Sequence, residues 1–121
     1  MALSMSMTST ATIYHNPRCN TSRTVLKAIQ EAGIEPTVVK YLETPPTKDG
    51  LRKLLDDAGL TAAQAIRRKE ALYKELGLKD ASEDGLIAAM VEHPILIERP
   101  IVVTDKGTVL ARPADKVHEV L

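Results

Sequence analysis

Two rhythms of apolar positions alternate along the chain. Ala11 to Tyr14 is a short β-prone run, and His15-Asn16-Pro17 cuts it off, because Pro17 fixes its own φ and keeps Asn16 out of the helical region. From Asn20 the spacing turns helical, with Val25, Ile29 and Ala32 on one face, Leu26 and Ala28 beside them, and Gly33 as the stop. Thr37 to Leu42 is a second β-branched run between prolines. A helical stretch follows. Thr47 caps a segment carrying Leu51, Leu54, Leu55 and Ala58 that stops at Gly59, and Thr61 with Gln64 forms a capping box. Glu70 to Leu76 continues helical before Gly77, and Ser82 opens a segment with Leu86, Ile87, Met90 and Val91, closed by His93-Pro94. Ile101–Thr104 and Thr108–Ala111 read as a hairpin around Asp105-Lys106-Gly107, with Gly107 in the left-handed position of a three-residue loop. Pro113 begins a last helical segment bearing Val117, Val120 and Leu121.

The helical crossover between the first two strands makes them parallel, and the hairpin is antiparallel. The expected fold is therefore α/β, a four-stranded mixed sheet with helices on both faces. No linker divides the 121 residues, so residues 11–121 read as one domain. Residues 1–10 have neither the basic start nor the apolar run of a signal peptide and read as a disordered leader.

The formal net charge is zero, and there is no Trp or Phe. Broad binding to nucleic acid or a membrane surface through a basic face is thereby disfavoured. The lone cysteine, Cys19, rules out an internal disulfide and fits a reducing compartment, so a cytoplasmic setting is expected.

Cys19 stands where strand gives way to helix. Free N–H groups and the positive end of the helix dipole meet there, and both favour a thiolate. Arg18, Arg23 and an imidazolium at His15 would add to the effect. Arg23 in a first helical turn opposes the dipole unless an anion or thiolate sits beside it. Of Arg67 and Arg68, taken as helical, at most one can face a site. Arg99-Pro100 and Arg112-Pro113 flank the hairpin, and its pairing would bring their guanidiniums together. Such a pair suits an oxyanion, and the competing partners are Glu98 and Asp115. His15, Cys19 and His93 match no zinc spacing, so no metal is expected. Val25 stands six after Cys19, which excludes a Cys-x5-Arg phosphatase loop.

With Ile13–Cys19, Thr21-Ser22-Arg23, Tyr41–Pro46, Arg67-Arg68-Lys69, Tyr73–Leu78, His93–Val103 and Arg112-Pro113, the chain resembles the glutaredoxin-coupled arsenate reductases, in the ArsC/Spx group of thioredoxin-like proteins. The resemblance implies a thioredoxin-like fold with an inserted helical region. It implies Cys19 as nucleophile, Arg67, Arg99 and Arg112 as oxyanion ligands, His15 as an activator of the thiol with Asn16, Ser22 and Arg23 in its loop, and a cis peptide before Pro100. It further implies a cytoplasmic monomer with no bound cofactor. Arsenate would be the substrate, and glutathione and glutaredoxin would supply thiols. Asn20 departs from the smaller Gly or Ser common in the family. Two other readings remain open. Cys19-Asn20-Thr21-Ser22 has the spacing of a glutathione-dependent monothiol reductase, and an Spx-like regulator would need a second cysteine where Ser22 stands.

Overall fold

The first strand ends where Pro17 forbids its continuation, and the rest of the fold is set by what that strand pairs with. The computed structural model describes residues 10–121. The expected leader lies outside the described residues, apart from Thr10. The chain separates into two compact units, residues 10–40 with Arg99–Leu121, and Tyr41–Glu98.

The first unit holds the sheet. β1 (Ala11–Tyr14), β2 (Thr37–Val39), β3 (Ile101–Thr104) and β4 (Gly107–Leu110) lie in the order β2-β1-β3-β4. β1 runs parallel to β2 and antiparallel to β3, and β3 runs antiparallel to β4. The mixed sheet expected from the sequence is thus present. Ile13, Val102 and Val109 are paired across three strands and share a face. Against that face pack Val25 and Ile29 of α1 (Asn20–Glu31), together with Val117 and Val120. Each such side chain, once buried, contributes roughly 1.5–3 kcal/mol.

Three boundaries differ from the sequence reading. β2 stops at Val39, not Leu42. It pairs only with β1, and the last backbone bond, from His15 N–H to Val39 O (2.8 Å), comes where β1 is cut off. The hairpin loop is two residues, since Gly107 pairs with Thr104 and begins β4. Gly107 has φ 150°, which still calls for glycine. The C-terminal segment Ala114–Glu119 is 3-10 helix. Ala114, Val117 and, just past its end, Val120 recur every third position, the 3-10 period, and so face the core together.

The second unit is the expected helical insertion. It comprises α2 (Lys48–Ala58), α3 (Ala62–Ala65), α4 (Ala71–Glu75) and α5 (Glu83–Glu92), with 3-10 turns at Leu78–Asp80 and Pro94–Leu96. The caps read from sequence are in place. Thr47 Oγ1 accepts from Gly50 N–H (3.0 Å), Thr61 and Gln64 form the capping box, and Ser82 Oγ accepts from Gly85 N–H (3.1 Å). Among the described residues, no helix is long and apolar enough to cross a membrane.

Candidate active site

Cys19 is the N-cap of α1, in extended conformation, with its carbonyl accepting from Arg23 N–H (3.0 Å). The loop before it is held chiefly by Asn16, which is 5% exposed. The Asn16 side-chain oxygen accepts from Arg18 N–H (2.9 Å), its carbonyl accepts from Cys19 N–H (3.0 Å), and its own N–H donates to Ser22 Oγ (3.1 Å). This triple attachment fixes the sulfur at the helix start. The sequence showed only that Asn-Pro makes a turn.

His15 and Ser22 are buried together, with Nδ1 and Oγ 2.6 Å apart. Burial, then the charges of Lys40 and Arg23, lowers the His15 pKa, so the ring is neutral near neutral pH. Ser22 Oγ also accepts from Asn16 N–H, so one hydroxyl ties the His15 ring to the Cys19 loop. Burial thus disfavours the imidazolium considered at His15, and the ring's contact in the site is with Ser22.

Burial pushes the Cys19 thiol up, but the Ser22 backbone N–H, Arg99 and Arg112 together pull it below the ordinary thiol range. Arg112 Nη1 lies 3.8 Å from Sγ and also donates to the Arg99 carbonyl (3.1 Å). The hairpin register brings these two arginines together as the sequence suggested. Neither is taken up by Glu98 or Asp115 among the described residues. Arg99 is 8% exposed, yet its Nε and Nη1 have no hydrogen-bond partner there. A buried guanidinium left in this state is costly, and an oxyanion is the ligand that relieves it. The peptide before Pro100 is cis, as the resemblance implied, and so is that before Pro113.

Arg23 has a different task from the one its position suggested. Its Nη1 donates to the Pro17 carbonyl (2.8 Å) and its Nη2 to Asn20 Oδ1 (3.4 Å), so it latches the loop. Asn20 is thereby part of that latch. Arg67 belongs to the second unit. It does not lie on a helix, because Ile66 forms a β-bridge with Ile97 and Arg67 N–H donates to Leu96 O (2.7 Å). Its guanidinium pairs with Glu70 (3.1 Å) and Glu98 (3.5 Å). Among the described residues, no group of three or more His, Cys, Asp or Glu is placed to hold a metal ion.

Because the thiolate is the reactive form, alkylation of Cys19 by iodoacetamide should climb with pH and reach half its plateau below the free-thiol value of about 8.5. Arg112→Gln removes a group that favours the thiolate, so its midpoint should lie higher. Superimposable profiles would show that Arg112 does not act on the sulfur.

The sequence pattern of the ArsC family matches residues 14–120. A Yersinia enterocolitica protein named arsenate reductase is 53% identical over 115 residues, 93% of this chain and 82% of its own. YfgD of Escherichia coli strain K12, described as uncharacterized, is 49% identical over 118 residues, 95% of this chain and 99% of its own. The solved structure of an arsenate reductase from Vibrio cholerae matches with a TM-score of 0.88 at 47% identity, covering 93% of this chain and 98% of that one.

Proposed function

The chain belongs to the ArsC family, and from that premise we propose that it reduces arsenate to arsenite with Cys19 as the nucleophile. The observation that carries this reading is the pairing of an activated thiol with a buried guanidinium, Arg99, that has two nitrogens without partners among the described residues.

Arg99 and Arg112 hold the arsenate oxygens and offset the charge that builds on them. The Cys19 thiolate attacks arsenic, a sulfur–arsenic bond forms, and one arsenic–oxygen bond breaks. That oxygen takes protons and leaves as water. Arsenic is still pentavalent in this adduct. Its reduction needs two electrons, and Cys19 is the only cysteine in the chain. External thiols supply them. A glutathione thiolate adds to arsenic with loss of a second water. A glutaredoxin thiolate then attacks the glutathione sulfur, giving a mixed disulfide and trivalent arsenic on Cys19, which hydrolysis releases as arsenite. These thiols belong to a reducing cytoplasm. No bound cofactor enters the scheme. Arg67 is assigned to the oxyanion by the resemblance alone.

The test is turnover with arsenate, glutathione and glutaredoxin, read as arsenite formed. Arsenite production dependent on both thiol components is the expected result. Reduction of glutathionylated substrates with no arsenite formed would overturn the proposal in favour of a monothiol reductase.

A further inference from the structure

Charge is unevenly distributed in this neutral protein. From Thr10 to Gln30 there is no Asp or Glu, while Arg18, Arg23 and Lys27 are all present. Every ion pair among the described residues lies within Tyr41–Glu98, so none engages Arg18, Arg23 or Lys40. These three side chains are exposed, and all belong to the unit that carries Cys19. Arg18 directly precedes the cysteine. Arg23 is anchored on the same loop at Pro17 O (2.8 Å). Lys40 follows Val39, whose carbonyl accepts from His15 N–H at 2.8 Å, so the end of β2 is tied to the base of the loop. The charges of Lys40 and Arg23 both reach the His15 ring.

This outer set is distinct from Arg99 and Arg112, which are assigned to the oxyanion. We propose that Arg18, Arg23 and Lys40 form a cationic collar around the Cys19 loop that selects a small thiol bearing carboxylates as the co-reactant. The proposal rests on the function given above, in which Cys19 must be served by an outside thiol. A thiol with carboxylates is drawn toward the sulfur, a neutral thiol gains nothing, and a cationic thiol is repelled. Three exposed cations on and beside one short loop suit a peptide-sized thiol better than an extended protein face.

The test needs no arsenate. Cys19 is first converted to its mixed disulfide with thionitrobenzoate. In the measured step a thiolate attacks the Cys19 sulfur, a new disulfide forms, and coloured thionitrobenzoate leaves. Rates are compared for glutathione, neutral 2-mercaptoethanol and cationic cysteamine. In Arg18→Gln/Lys40→Gln the glutathione rate should fall about threefold to tenfold at low salt, the mercaptoethanol rate should hold, and the cysteamine rate should rise. Added salt should slow glutathione with the native protein and erase the difference between the two proteins. Equal changes for all three thiols would mean an altered loop and would overturn the collar. Unchanged small-thiol rates with slower turnover by glutaredoxin would overturn it in favour of protein docking. Charge selectivity in a protein that makes no arsenite would leave the collar standing and remove only the proposed function.

Discussion

Cys19→Ser should lose arsenate turnover by at least about a thousandfold while keeping its fold. The reason lies in what surrounds the sulfur. The Ser22 backbone N–H, Arg99 and Arg112 together bring a thiol below its ordinary range. A hydroxyl starts so much higher that the same groups leave it protonated. An arsenate ester on oxygen would also offer no sulfur through which the later thiol steps could run. The substitution is small, and Cys19 makes no side-chain capping bond that serine would have to replace. Arsenate should still raise the melting temperature of the variant, because Arg99 and Arg112 remain. Turnover within about tenfold of the native rate would remove Cys19 from the mechanism, and persistence of the thermal shift shows that a silent variant is folded.

The parts of this site that lie close together in sequence were legible there. Cys19, Ser22 and Arg23 share one helix start, and a strand–proline–helix pattern is enough to place the thiol. The meeting of Arg99 and Arg112 was legible too, because hairpin pairing converts sequence separation into a register. Local chemistry likewise announced the caps at Thr47, Thr61 and Ser82. What escaped depends on partners remote in sequence or on burial. The Ile66–Ile97 bridge takes Arg67 out of a helix, and nothing near Arg67 signals it. β2 ends where its partner β1 ends, whatever its own β propensity at Tyr41 and Leu42. Sequence left open a protonated His15, because burial is not written in its neighbours, but at 5% exposure the neutral ring is favoured. The 3-10 form of Ala114–Glu119 was visible in the three-residue spacing of its apolar positions, once that period is weighed against 3.6.

Arg99→Met should move stability and activity in opposite directions. In the free protein the Arg99 guanidinium is buried, with Nε and Nη1 lacking partners among the described residues. Replacing such a charge by an apolar chain of similar reach is commonly neutral or stabilising, so the melting temperature without ligand should hold or rise. The same change removes charge-assisted hydrogen bonds to arsenate, each worth roughly 1.5–3 kcal/mol. Loss of two such bonds predicts a KM for arsenate higher by about a hundredfold or more. It also removes a group that lowers the Cys19 pKa, so the alkylation midpoint should shift upward. In the native protein, arsenate at about a hundred times its dissociation constant should add roughly 2.7 kcal/mol of stability, and in the variant that gain should largely disappear. A variant that is less stable without ligand, yet is stabilised by arsenate as much as the native protein, would show that Arg99 is a structural cation and not the oxyanion's partner.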